Sequence, residues 1–311
     1  MTSPDPAPRG RYDVVIVGAG PAGLSAAVYA ARQGLTTAVV AGSIGGQAMW
    51  ARHVDNYIGW QLVTGPELME RFREHVSQFD VDCFDGNLVN AIVPAEDGFD
   101  VFSREGLSLK AAAVIIATGR AINRLAIPGE DELLGRGVSY CATCDAAFFS
   151  GKEVVVVGPG ESAADAALQL VRVGATKVTL VNSVPVVAPD AVLEKLADEP
   201  RIETRFGGRP VRIEGDGQVA GLVLEVDGAE ERIPAAGVFI ESGAISASEF
   251  AMGLVELNDK GEIVVGKAQQ ASTPGVYAAG DVTDLFGKQI VLAAGQGARA
   301  AMAAGRDLKR R

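Results

Sequence analysis

The residues best suited to chemistry are two of the three cysteines in this 311-residue chain, Cys141 and Cys144 in "SYCATCDAAFF" (139–149), with Asp145 directly after them. A C-x-x-C spacing can hold half a zinc site, close a small disulfide or carry a thiol–disulfide couple. A closed structural zinc site needs four ligands, and beyond the pair the chain offers only Cys83, His53 and His75, none at a second-knuckle spacing. The metal reading therefore fails on ligand count. Three cysteines are also too few for a disulfide framework, and in a reducing compartment a close pair points to redox or metal chemistry ahead of a staple or a coincidence of spacing. A cysteine opening a helix has its thiolate favoured there, bringing a thiol from about 8.5 toward about 7. The stretch "CATCDAAFF" is predicted as that short helix, with Ser139 as its cap and Gly151 after its end. Asp145 is either a first-turn acid favoured by the helix dipole or a proton carrier beside the thiols. Cys83, in a mixed segment, reads as structural.

The elements that must position such a pair show one pattern twice. "YDVVIVGAGPAG" (12–23) is an apolar β-branched run breaking into Gly18, Gly20 and Gly23, followed by a helical segment that Gly34 should stop. "EVVVVGPGESA" (153–163) repeats it with Gly158, Gly160 and Ala163, and Gly174 closes the next helix. Strand, tight turn and helix opening form a dinucleotide-binding turn. The first glycine permits the turn, the second admits a diphosphate to the backbone, and the third small residue lets helix and strand approach. In the second copy Pro159 removes one backbone donor. Two further strands end in "ATG" (117–119) and "AAGD" (278–281).

Bulk properties fit that frame. The chain is 48% hydrophobic and 22% charged, with a net charge of −11, which argues against nucleic acid or an anionic membrane as main partner. No apolar run reaches the roughly 18 residues of a membrane span. "MTSPDPAPRGR" reads as a short disordered tail without a signal-peptide core, and the expectation is a cytoplasmic protein. The first glycine turn, "ATG" and "AAGD" resemble the elements that complete an FAD site in two-dinucleotide flavoproteins, and they lie at both ends of the chain with the second glycine turn between them. This order predicts an α/β protein of two Rossmann-like domains, the second inserted in the first. The expected bounds are 1–119 with 245–311, and 120–244. Segment 84–110 reads as an antiparallel excursion.

Taken together, GAGPAG (18–23), GGQ (45–47), ATG (117–119), CATCD (141–145), the second glycine turn, AAGD (278–281) and KQIVLAAGQG (288–297) resemble the low-molecular-weight thioredoxin reductases across nearly the whole chain. The resemblance implies a homodimeric, FAD-dependent disulfide oxidoreductase of the two-dinucleotide flavoprotein type that acts on thioredoxin or a similar small protein. It implies that Cys144 contacts the flavin, Cys141 attacks the substrate disulfide and Asp145 moves the proton. It implies flavin contacts at Gly18, Gly20, Pro21, Ala22, Gly23, Gly46, Gln47, Asn56, Ala117, Thr118, Gly119, Gly280, Asp281, Gln289 and Ile290.

One departure bears on the electron donor. NADPH-using members carry a His-Arg-Arg-x-x-x-Arg cluster after the second strand of the inserted domain, because a 2′-phosphate needs arginine partners. Here that place reads "VTLVNSVPVVAPD", and no arginine occurs from Val173 to Pro200. An NADH enzyme would want an acid where Asn182 stands. "FIESGAISAS" (239–248) also departs from the family's Phe-Ile-x-Ile-Gly-x-x-Pro. The expected donor is therefore not NADPH, and ferredoxin or another flavin is favoured. A plant-type ferredoxin near −400 mV against thioredoxin near −270 mV leaves roughly 130 mV, about 6 kcal/mol for two electrons. Docking an acidic ferredoxin would need basic surface, sought around Arg71, Arg73 or the terminal "RDLKRR". The apolar "SVPVVAP" could instead cover a second nucleotide or flavin in the inserted domain. An NAD(P)H-linked reductase with unusual contacts, a dithiol oxidase and a flavin-bound redox sensor stay open as alternatives.

Overall fold

A computed structural model describes residues 6–51 and 53–310. Residues 1–5, which open the expected tail, and the final Arg311 lie outside the described residues. The chain divides into two units, one running through Ala121 and resuming at Ile245, the other Ile122–Ala244.

The first unit opens with β1 (Tyr12–Ala19), α1 (Pro21–Arg32), β2 (Thr37–Ile44), α2 (Gly65–Val76) and β3 (Val81–Asp85), followed by β4 (Val89–Ala95), β5 (Gly98–Ser103) and β6 (Ser108–Ile116). Strand order is β3-β2-β1-β6-β5-β4. β1 lies parallel to both neighbours, with Val15 opposite Ala38 on one side and Val114 on the other. β4, β5 and β6 run antiparallel, so the excursion starts after β3, and Phe84 and Asp85 belong to the parallel part. Successive side chains of β1 enter opposite cores, Val14 and Ile16 beneath the helices and Val15 and Val17 on the other face. A strand buried on both faces explains its unbroken apolar run.

The chain then passes through β7 (Arg120–Ile122) into the second unit: β8 (Val138–Ser139), the single-turn α3 (Ala142–Asp145), β9 (Glu153–Val157), α4 (Glu161–Arg172), β10 (Lys177–Asn182), α5 (Asp190–Asp198), β11 (Ile202–Phe206), β12 (Arg209–Gly215), β13 (Val219–Val226), β14 (Ala229–Pro234) and β15 (Gly237–Ile240). A five-stranded parallel sheet has the order β11-β10-β9-β15-β8, and β12-β13-β14 form an antiparallel one. Val154 and Val156 pack under α4, whereas Val155 and Val157 face the antiparallel strands. The return passes through β16 (Ala244–Ser246), paired with β7. In the first unit β17 (Val276–Ala278) then joins β6 in parallel, and α6 (Ile290–Leu308) packs on α1 through small residues. A Cβ on Gly297 would lie 1.9 Å from the Ala22 carbonyl oxygen, so any larger residue would force the two helices apart.

Both helices after the glycine turns stop where the sequence places the stop. Gly34 (φ +77°) and Gly174 (φ +106°) adopt left-handed conformations, and the next residue's amide returns to the helix, Leu35 to Ala30 O and Ala175 to Leu170 O.

Candidate active site

In the second unit Cys141 and Cys144 are joined as a disulfide, their Cα atoms 5.3 Å apart. Both are half-buried. Cys141 has extended backbone (φ −147°, ψ 95°) and is itself the cap of α3, its sulfur accepting from the Cys144 amide at 3.2 Å. This corrects the expected cap. Ser139 instead sits in β8, where its Oγ accepts from the Cys141 amide at 3.1 Å and donates to Asp145 Oδ2 at 2.6 Å. The helix is also shorter than predicted: α3 is one turn, and Ala146–Phe149 continue as a 3-10 turn. A macrodipole needs aligned peptides, so the local donor available to a Cys141 thiolate is the Cys144 amide, which is shared between the Cys141 carbonyl oxygen at 3.1 Å and its sulfur at 3.2 Å.

The turn rests on a buried carboxylate. Glu130 is 1% exposed and accepts from the Tyr140 hydroxyl at 2.6 Å and from the Leu125 and Ile127 amides at 3.2 and 3.4 Å. Arg124 Nε lies 3.7 Å from it. Burial pushes the Tyr140 hydroxyl up to about 12, so it remains a donor at neutral pH. On the other side of the turn, Glu241 Oε1 accepts from the Ala142 amide at 3.4 Å, and burial raises its carboxyl to about 7. Sequence reasoning passed over both acids. Glu241 lies within the departure "FIESGAISAS"; nothing local marked Glu130.

Glu241 also adjoins the second glycine turn. A Cβ on Gly158 would meet the Glu241 carbonyl oxygen at 2.2 Å, whereas one on Gly160 would meet nothing within 4 Å. Gly160 caps α4 without any side-chain bond. The segment after β10 folds back onto this turn, the Val187 amide donating to Pro159 O at 2.8 Å. At the end of β10, Asn182 is 3% exposed, and neither its Oδ1 nor its Nδ2 has a hydrogen-bond partner. Basic residues on and beside β10 and β11 are engaged: Lys177 with Glu203 at 2.7 Å, Arg201 with Glu199 at 2.9 Å and Arg205 with Glu203 at 2.8 Å.

In the first unit the glycine turn is closely packed on one side and open on the other. Gly18 (φ +106°) would clash through a Cβ with Ala117 O at 2.3 Å, and Gly23 with Gly18 O at 1.8 Å. Gly20 faces open space, and the twelve-residue α1 begins at Pro21 and Ala22 with no side-chain cap. Gly46, left-handed, comes within 3.4 Å of the Gly20 Cα by its would-be Cβ. Gln47 donates to Arg120 O. Ala117 donates to Val17 O at 2.7 Å, Thr118 Oγ1 to Ala247 O at 2.6 Å, and Gly119 is left-handed. Asn56 Nδ2 meets Gln289 Oε1 at 3.1 Å, and Ile290 packs against a small core around Ala48 and Met69. The Gly280 amide donates to Gln296 Oε1 at 2.8 Å. The carboxyl of the neighbouring Asp281 is raised by burial, against the opposing charges of Lys288 and Arg120. An uncapped helix start behind an open glycine is a physical fit for a diphosphate.

Arg71 and Arg73 do not make a basic surface. Each is paired on α2, with Glu74 at 3.2 Å and Glu70 at 2.5 Å, and Arg306 pairs with Asp307 at 2.9 Å. Among the described residues no cluster could hold a metal ion, and no helix is long and apolar enough to cross a membrane.

Comparisons with known proteins agree with this architecture. Over 299 residues the chain is 41% identical to one subunit of the alkyl hydroperoxide reductase of Pseudomonas putida, covering 94% of this chain and 57% of that protein. The corresponding protein of Staphylococcus epidermidis is 36% identical, with 94% of this chain and 58% of that protein covered. The chain thus spans little more than half the length of these relatives. Among solved structures, thioredoxin reductase from Streptococcus pyogenes superposes with a TM-score of 0.92 at 32% identity, covering 97% of this chain and 99% of that one. The thioredoxin reductase of Giardia duodenalis gives 0.90 at 33%, with 97% and 100% covered. A family model described as pyridine nucleotide-disulphide oxidoreductase matches residues 12–304. The chain belongs to that family.

Proposed function

We propose that this flavoenzyme binds FAD in its first unit and passes electron pairs through Cys141 and Cys144 to a small disulfide protein of the thioredoxin type. The observation that carries the proposal is the Cys141–Cys144 disulfide on a turn whose Cys144 amide is aimed at the Cys141 sulfur. Gly18, Gly20, Pro21, Ala22 and Gly23 would hold the flavin's diphosphate, with Gly46, Gln47, Asn56, Ala117, Thr118, Gly119, Gly280, Asp281, Gln289 and Ile290 completing the cradle. When bound, the flavin supplies the electron pair that opens the disulfide.

The chain's own steps follow from thiol–disulfide exchange. The Cys141 thiolate attacks one sulfur of the substrate disulfide, forming a mixed disulfide and releasing a substrate thiolate that takes up a proton. The Cys144 thiolate then attacks Cys141, re-forming the internal disulfide and releasing the second substrate sulfur, which is protonated in turn. Two electrons and two protons leave with the substrate. Asp145, held by Ser139, is placed to exchange those protons. The relatives named for alkyl hydroperoxide reduction support a reading in which the reduced partner goes on to spend its electrons on peroxides.

For the donor, the absence of arginine from Val173 to Pro200 and the engaged Lys177 disfavour a 2′-phosphate. Asn182, whose buried amide could both donate to and accept from ribose hydroxyls, supports NADH. The open Gly160 leaves room for its diphosphate. A ferredoxin or flavin donor stands as the second reading. It rests on the same missing arginines, but the pairing of Arg71 and Arg73 with glutamates and of Arg306 with Asp307 weakens the basic surface it would use. The homodimer belongs to this proposal as well, supported by exposed apolar side chains of the first unit, Ile58, Leu62 and Phe286.

The relay is tested by counting electrons. Anaerobic dithionite titration of the yellow protein should consume two electron pairs, one for the flavin and one for the disulfide. A Cys144→Ser variant should consume one, and a wild-type count of one pair would refute the relay.

A further inference from the structure

The dithiol turn is flanked by two carboxyl groups, and only Asp145 belongs to its motif. Glu241 reaches the turn from the end of β15, more than ninety residues away in sequence. Its Oε1 accepts from the Ala142 amide at 3.4 Å, the amide of the peptide bond that Cys141 itself begins. Its own amide is fixed to Val157 O at 2.7 Å, and its carbonyl oxygen is tied to Ser162 Oγ at 3.5 Å and closely approached by Gly158. The acid is therefore held on three sides, between the second glycine turn and the dithiol.

We infer that Glu241 is a positioning residue for the dithiol, whose charge state sets how readily Cys141 ionises. A carboxylate on the Ala142 amide places a negative charge one residue along the chain from the sulfur that must become a thiolate, and like charges disfavour one another. With Glu241 protonated, one of the two flanking negative charges is removed and the Cys141 thiolate forms at lower pH; with Glu241 ionised, the thiolate forms at higher pH. The coupling is mutual, so thiolate formation also draws a proton onto Glu241.

Burial brings that carboxyl to about 7, within the range where the switch would operate. The titratable groups carried by the elements packed around it are Cys141, Cys144 and Asp145 on the dithiol turn, Tyr140, Glu130 and Arg124 in the cluster that precedes it, Glu153 on β9, Glu161, Asp165 and Arg172 on α4, and Glu225 on β13. None of their charges contributes to the shift, which burial causes and the Ala142 amide and Ser162 hydroxyl oppose. The inference rests on the disulfide-exchange reading above for its use, but its test does not.

The test is alkylation of the reduced, flavin-loaded full chain. The protein is reduced anaerobically, freed of reductant and trapped with iodoacetamide from mildly acid to alkaline pH. Modification of Cys141, Cys144 and Cys83 is read peptide by peptide by mass spectrometry. The wild-type Cys141 curve should be spread over two coupled ionisations. In Glu241→Gln, which keeps an acceptor for the Ala142 amide, the Glu241-dependent spread should be lost and the Cys141 midpoint should fall by about one pH unit. Coincident Cys141 curves for the two proteins would overturn the inference.

Should the variant not fold, infrared titration of the wild-type carboxyl band decides. A carboxyl that ionises near neutral pH in the oxidised protein, and at higher pH in the reduced one, is expected; the lack of one refutes the inference. No turnover is read in either arm. A Cys141 that alkylates as expected in a protein that reduces no disulfide partner would remove the proposed function and leave this inference standing.

Discussion

The two glycine turns are nearly the same local structure with different surroundings. Each is a buried parallel strand, a turn through two glycines and a twelve-residue helix without a side-chain cap. Around the first converge Gly46 from the loop after β2, Ala117 at the end of β6, Gly280 after β17 and the small-residue face of α6. Around the second stand an unpartnered Asn182, a returning apolar segment bonded to Pro159, and the backbone of Glu241. The turn alone fits a diphosphate. What else a site accepts is decided by elements distant in sequence, which is why the proposal gives one turn to a flavin and the other to a nucleotide without a 2′-phosphate.

The largest expected effect separates the units by chemistry. Cys144→Ser should lower disulfide turnover by about 10³-fold or more while leaving the flavin bound, since it removes one half of a group that acts as a unit. Turnover assays beside the flavin spectrum check this; turnover near wild type would break the relay. Next comes the packing of the first turn. Gly23→Val would drive a side chain into a carbonyl that already stands 1.8 Å from a Cβ. It should lower stability by at least about 1–3 kcal/mol and yield colourless protein, read by thermal melting and flavin content. Gly160→Val, at the counterpart of Gly20, where a Cβ meets nothing, should keep both fold and flavin.

The second turn's selectivity is tested more gently. Val184→Arg, at an exposed position after β10, should tighten NADPH by about tenfold relative to NADH by supplying a charge-assisted partner for the 2′-phosphate. Binding titrations report it, and an unchanged ratio would move the 2′ position elsewhere. Asn182→Ala should weaken NADH while leaving the ligand-free protein as stable or slightly more so, because it removes a buried amide that bonds to nothing.

The smallest effect is a pH dependence of stability. Because the folded state holds Glu241 above its ordinary carboxyl value of 4.5, folded protein binds the proton more tightly than unfolded between there and about 7. The contribution is full below about 4.5 and is lost as pH rises toward about 7, so stability should decline across that window. Glu241→Gln should flatten the decline in denaturant melts.

Much of this was legible from residue order. The glycine turns, the helix stops at Gly34 and Gly174 and the inserted arrangement of the chain rest on local patterns or on their sequence. The pairing of Arg71 and Arg73 was also readable, since glutamates stand three residues away from each on one helix. The errors were non-local or conformational. Ser139 looked like a cap because it precedes a helix, but the extended backbone of Cys141 takes that role and frees Ser139 for Asp145. Glu130 gave no local signal and Glu241 only its place in a segment that departs from the family, because one meets Tyr140 and the other Ala142 through tertiary packing.

The most direct test of the whole account is an anaerobic titration of the flavin absorbance with NADH, NADPH and reduced ferredoxin in separate cells. Bleaching by NADH at concentrations well below those needed of NADPH is the predicted result. Equal or better bleaching by NADPH, or bleaching by ferredoxin alone, would contradict it.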